Sequence, residues 1–285
     1  MADTPTPPGD LAALPAQHDL ADFVRRHDPD RFLCALFAAP ERRPALFALI
    51  AYNHELARAR EAATNPIAAL IRLQWWREAI EDAAAGRPPR RHEVAEPLHA
   101  AIAAGLLDPA DLSAMADARE AETAEEGIAT RSAFAAHLRG TAGGVAVAAG
   151  RLLGATGEAL SVLQALGAAY ARAGLLRSVA AHAAQGRCLL PGDALAEAGL
   201  APEAVVSAPD SAAPVVRVLA AEGLAELAQA RARARLVPRA AVAAALPAVL
   251  AARDLRRLAM GRAVPVPRGF GDRAAVVLAG LRGRA

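Results

Sequence analysis

The sequence predicts an all-α, single-domain protein, and three observations predict it. Hydrophobic residues make up 54% of the 285 and aromatics only 4%. The surplus is alanine, the residue that gives most to a helix. Apolar residues recur at three- and four-residue spacing in segment after segment, the mark of helices with one buried face. No run of alternating β-branched residues bounded by turn signals occurs in the chain.

The elements follow in order. Residues 1–17, polar and proline-rich, read as a disordered leader, and 18–285 as the domain. DLADFVRRH, from Asp19, is a first helix, and DPDRFLCALFAAP a second, with Asp28 or Asp30 at its start and Pro40 at its end. In ERRPALFALIAYNHELARAREAA, Leu46, Phe47, Ile50, Ala51 and Leu56 share one face, and Asn65-Pro66 breaks the helix. IAALIRLQWWREAIEDAAAG carries the stripe Leu70, Leu73, Trp76 and Ile80. One tryptophan of Trp75-Trp76 fits the core; the other is half-buried or a partner contact. HEVAEPLHAAIAAGLL is shorter, and Asp108-Pro109 opens the next helix as a cap and first-turn pair. Helices then run from Thr130 to Gly154 and from Gly157 to Gly186. The remainder is helical again in shorter pieces, with a loop at 263–272 and a closing helix from Arg273. No repeat or linker divides the chain.

Charge and cysteine usage exclude several classes. The chain has no lysine, and all 32 positive charges are arginine, which reflects coding bias more simply than a phosphate code. A net charge of +2 without a concentrated basic face does not predict nucleic-acid binding. The run Arg231–Arg235 reads as a solvated helix face. Cys34 and Cys188 have no metal-ligand spacing and suit a reducing compartment. The N-terminal residues lack a signal pattern, and no window of 18 uninterrupted apolar residues appears, so a cytoplasmic protein is expected.

Three separated stretches resemble the squalene/phytoene synthase family. DPDRFLCALFAAPERRPALFALIAYNHELARARE is similar to its opening, HLRGTAGGVAVAAGRLLG to its small-residue helix, and LGAAYARAGLLRSVAAHAAQGRCLLP to its second motif. The match spans about residues 20 to 200 in order and spacing. It implies an isoprenoid-synthase-type helical bundle around a central cavity. It also implies head-to-head coupling of two prenyl diphosphates, with Mg²⁺ held by aspartates four residues apart on two facing helices.

The sequence departs from that pattern in both places. In the first acidic motif Glu55, Ala57, Arg58 and Glu61 stand where the acidic cluster is expected. Glu55 and Glu61 are separated by about 240° of helical rotation and cannot point the same way. In the second, Ser178 and His182 occupy the aspartate positions, inside the frame of Arg177, Gly186-Arg187 and Leu190-Pro191. No catalytic residue and no metal ligand is therefore assigned. Glu122 and Glu126 have the four-residue spacing of a displaced site but read as a solvated face, and Asp193 with Glu197 as a surface segment.

What remains is a candidate anion or ligand pocket of Tyr52, His54, Arg58, Arg177 and Arg187, since guanidinium forks bind phosphate without metal. His54 and His182, beside the two altered clusters, would approach each other if the helices face as in the family. IRLQWWREAI and the altered positions resemble the branch of the family that holds respiratory complex I assembly factors. The resemblance implies a non-catalytic protein with no cofactor. It would bind a prenyl lipid, a prenyl diphosphate, or a complex I subunit or assembly partner, with peripheral contact to the inner membrane. The alternative is an active prenyltransferase of the phytoene or squalene synthase type with relocated Mg²⁺ ligands. A third reading is different chemistry in the same cavity.

Overall fold

Helix starts are set by short polar caps followed by proline. Asp28, Asn65 and Asp108 each accept a hydrogen bond from a backbone N–H of the first turn, with proline next in sequence. In the computed structural model, residues 17–285 are described, except 62, 64, 124–126 and 265–266. The expected leader lies, but for Gln17, outside the described residues.

Among the described residues the chain is helical with no strand. The first half holds α1 (Gln17–His27), α2 (Pro29–Ala35), α3 (Arg43–Glu61), α4 (Pro66–Ala84), α5 (Ala95–Ala103), α6 (Pro109–Ala118), α7 (Arg131–Gly140) and α8 (Ala142–Leu152). The second holds α9 (Glu158–Arg177), α10 (Val179–Ala183), α11 (Gly192–Glu197), α12 (Pro202–Ser207), α13 (Ala213–Ala232), α14 (Val242–Ala245), α15 (Pro247–Ala259) and α16 (Phe270–Arg282).

Helix α9 is the axis of the bundle, packed on α7, α8, α13 and α15. It is long and apolar enough to cross a membrane by composition, yet more than half of that stretch is buried within the fold. Its contact with α8 is very close. A Cβ built at Gly167 would lie 2.5 Å from the Ala142 carbonyl oxygen and 2.8 Å from the Ala146 Cβ. Alanine and glycine on facing turns let two backbones approach where larger residues would hold them apart.

Several expectations are corrected. The predicted 130–154 helix is two, because Thr141 has ψ −98°, which turns the chain between them, while its N–H and its hydroxyl both donate to the His137 carbonyl. The 157–186 helix ends at Ser178 and restarts as α10. Pro247, which has no N–H, opens α15 and separates it from α14. The expected loop at 263–272 ends early, since α16 already begins at Phe270. Leu70 is not on the buried stripe of α4; it is 38% exposed, and Ala69 takes its place. Trp76 is buried, whereas Trp75 is half-buried and packs within the chain, against Arg90 and His92.

Candidate functional site

Helix α3 brings His54, Ala57 and Glu61 to one wall of a cavity of about 930 Å³. The end of α9 and the segment after it bring Arg177, Ser178, His182 and Arg187 to another. Residues of both stretches that resemble the family's motifs therefore line the same cavity. Glu55 does not line it and pairs loosely with Arg58 at 3.9 Å. Arg58 is exposed and outside the cavity. Tyr52 is also outside it: the ring is fully buried and its hydroxyl donates to the Leu112 carbonyl at 2.9 Å. Both positions correct the expected pocket. On α3 the face of Tyr52 turns into the core, while the face of His54, Ala57 and Glu61 turns to the cavity.

His54 and His182 line the same cavity, but the ring contacts of His54 are with His27 and Phe23. Its ring lies tilted against His27, with centroids 4.7 Å apart, and edge-on against Phe23. Burial first, then the nearby His27 and Arg58, push its pKa down to about 4, so it is neutral at physiological pH. Its Nε2 is buried with no hydrogen-bond partner among the described residues. Burial and Arg187 lower the pKa of His182 as well.

The lining also holds charged residues that sequence reasoning read only as caps or passed over. Asp28 caps α2 and takes the Arg31 guanidinium at 2.8 Å. Asp30 receives Arg268 Nε at 2.7 Å and the Tyr170 hydroxyl at 3.1 Å. Arg268 reaches on to Asp254, behind the lining, with two 2.8 Å bonds. Asp254 is fully buried and also accepts from Arg177 at 3.2 Å and Arg257 at 3.4 Å. The two aspartates hold Arg268 so firmly that, although burial alone would lower it, its pKa is raised above the usual arginine value.

A second cluster corrects the reading of Glu122. It is 7% exposed, not a solvated face. It accepts from Arg119 at 2.6 Å and lies 3.2 Å from His137 Nε2, while Arg119 also donates to Asn53. Burial would raise its pKa, but the charges of Arg119 and His137 and their hydrogen bonds win and hold it at about 2. Glu126 lies outside the described residues. Asp193 and Glu197 are structural: Asp193 accepts from the Arg131 N–H at the start of α7, and Glu197 takes the Arg131 guanidinium through both oxygens.

The donor set does not fit a magnesium cluster. Mg²⁺ takes near-octahedral oxygen coordination, with free carboxylates of the protein supplementing substrate phosphates and waters, and a cluster of such ions needs several of them. Here Asp28, Asp30 and Glu122 are each engaged by an arginine, Glu61 is the remaining carboxylate of the lining, and α3 and α10 otherwise bring imidazole, amide and methyl groups to it. Among the described residues no group of three or more His, Cys, Asp or Glu could hold a metal ion. An anion is better suited. Arg187 lines the cavity, its Nε and Nη1 are buried without partners among the described residues, and burial lowers its pKa. Its Nη2 donates to Gln185, and Glu122 and Glu61 offset part of its charge, but two buried N–H groups left unpaired are costly, and a bound phosphate or carboxylate would satisfy them.

The family model described as squalene/phytoene synthase matches residues 24–277. A solved dehydrosqualene synthase in complex with ligand superposes with a TM-score of 0.77, covering 94% of this chain and 95% of that one at 13% identity. Squalene synthase HpnC from Alicyclobacillus acidocaldarius superposes with a TM-score of 0.66, covering 94% of each chain at 18% identity. At such identities the likeness shows the fold. Among curated proteins, NADH dehydrogenase (ubiquinone) complex I, assembly factor 6 from Homo sapiens is 32% identical over 74 residues, 26% of this chain and 22% of that protein. Its Mus musculus counterpart is 25% identical over 183 residues, 64% of this chain and 55% of that protein. The chain thus spans from about a fifth to about half the length of the curated relatives it matches.

Proposed function

The chain belongs to the squalene/phytoene synthase family, and from that premise we propose that it is a non-catalytic member that binds rather than condenses. Its role is in the assembly of respiratory complex I, through a complex I subunit or assembly partner. Its cavity takes an anionic prenyl or lipid-phosphate ligand. The observation that carries the reading is how the cavity carboxylates are used. Of the four carboxylates in the lining, Asp28, Asp30 and Glu122 already neutralise Arg31, Arg268 and Arg119 and only Glu61 is left over, while Ala57, Ser178 and His182 stand at the positions that the family resemblance assigns to metal ligands.

The physical logic is a replacement of one kind of charge balance by another. Ionising an allylic diphosphate requires a concentrated positive charge that shifts with the leaving group, which metal ions supply. Arginines locked to aspartates supply fixed, largely cancelled charge instead. Arg187 keeps two unpartnered guanidinium nitrogens, Nε and Nη1, for holding an anion without driving its departure. The partial matches to complex I assembly factors support the cellular role.

One incubation tests the catalytic part. The pure protein with farnesyl or geranylgeranyl diphosphate and Mg²⁺ is expected to release no diphosphate above the blank, and to bind the same compounds in the presence of a chelator. Mg²⁺-dependent release would overturn the reading in favour of an active prenyltransferase with relocated ligands. Deleting the gene is expected to lower the amount of assembled complex I, and an unchanged amount would remove the assembly role.

A further inference from the structure

Helix α16 carries an apolar stripe that the fold does not use. Its inner face is accounted for: Val276 is fully buried, Gly280 packs against Phe37, and Asp272 is buried and paired with Arg253 and Arg257. Its outer face shows Phe270 at 88% exposure, Leu281 at 65%, Leu278 at 48% and Val277 at 37%. At about 100° per residue these four and Ala274 fall within an arc of roughly 100°.

Arginines border the stripe. Arg273 lies about 40° beyond one edge and Arg282 about 40° beyond the other, and both are exposed, as is Arg284. Arg239, also exposed, reaches the end of the helix and donates to the Leu281 carbonyl. The helix has one acidic residue, Asp272, and it faces inward. An exposed apolar arc with cationic shoulders and no outward carboxylate is the pattern of a helix lying in the surface of an anionic bilayer.

We propose that α16 docks this protein flat on an anionic lipid surface, with Phe270, Val277, Leu278 and Leu281 inserted among the acyl chains and Arg273, Arg282, Arg284 and Arg239 on the headgroup phosphates. The placement has a consequence for the cavity. Pro267, Arg268 and Arg273 line it, so the helix that meets the lipid also forms part of the cavity rim. The docking stands independently of whether the cavity is catalytic.

The full chain is sedimented with vesicles of phosphatidylcholine plus phosphatidylglycerol and with vesicles of phosphatidylcholine alone. Binding is expected to the mixed vesicles and to be roughly tenfold weaker to the neutral ones. The F270E/L281E variant should lose binding roughly tenfold, whereas I71E, at an equally exposed isoleucine on α4, should not. Hydrogen exchange on the unmodified protein covers the case of a variant that fails to fold, and protection by vesicles is expected over residues 270–284. No binding to mixed vesicles, equal loss in I71E, or protection that spares α16 would each overturn the proposal. Lipid-free, concentration-dependent dimerisation abolished by F270E/L281E would overturn it in favour of a second copy as the occupant.

Discussion

The two halves of α9 obey different rules. Its first half, through Gly167, lies against α8 with backbones almost touching, and specificity there comes from the absence of side-chain atoms. Its second half brings Tyr170 and Arg177 to a charged cavity, where specificity comes from buried arginine–aspartate pairs. Substitutions in the first half should register as steric strain, and in the second as charges left without partners. The two kinds of error differ in size.

The largest effect should come from Asp254→Ala. Asp254 is fully buried and accepts from Arg177, Arg257 and Arg268. Removing it leaves Arg177 with only Asp30 at 3.9 Å and takes one of two carboxylates from Arg268 and from Arg257, which keep Asp30 and Asp272; breaking a buried pair in this way costs about 3–5 kcal/mol. The urea midpoint should fall accordingly, and a loss under about 1 kcal/mol would mean that the network is solvated.

The acid limb of stability should come next, in two steps. His54 has its pKa pushed down to about 4. The unfolded chain protonates it first, near the ordinary value of 6.5, so stability falls from there until about pH 4 and then levels. Glu122, held at about 2 against an ordinary 4.5, contributes stability above pH 4.5 that is lost as pH falls through about 2. Its part is on the order of 3 kcal/mol. Denaturation midpoints against pH should show both windows. Glu122→Gln should flatten the lower one only, and an unchanged lower window would remove Glu122 from the account.

These two regions were not equally legible in the sequence. The helices and much of the core followed from period and caps, because Leu73, Trp76, Ile80 or Asn65-Pro66 act through neighbours a few residues away. The break at Thr141 was not visible, since the deviation lies in one ψ angle. The cavity was half legible. Arg177, Ser178, His182 and Arg187 came from a motif frame, and all four line it. Asp30 and Arg268 did not, because the pair spans 238 positions and neither residue has a local pattern announcing its partner. Glu122 misled for a related reason: in a local acidic run it looks solvated, and only the fold brings His137 over it.

The seam of α9 supplies a smaller effect. Gly167→Ala adds one methyl, and helix propensity alone would favour it by about 0.5–1 kcal/mol. Here the methyl meets the Ala142 carbonyl oxygen at 2.5 Å, a backbone atom that cannot swing away. Overpacking of this kind costs about 1–3 kcal/mol, so the variant should be less stable. A stabilised variant would mean that α8 slides away at little cost.

Gly174→Ala is the smallest change and the sharpest contrast. It lies about two turns beyond Gly167, on nearly the same face of the same helix. There the face no longer meets α8: Gly174 lines the cavity, and a Cβ added to it would meet nothing within 4 Å. With no clash to oppose it, the lower conformational entropy of alanine in the unfolded chain should win, raising stability by about 0.5–1 kcal/mol. The same methyl should intrude on any ligand occupying that wall, so a rise in the urea midpoint together with weaker binding of farnesyl diphosphate is expected. A loss of stability would show that the seam stays closed as far as Gly174 and that the cavity begins later along α9. One helix face would then carry a single packing rule where two are inferred.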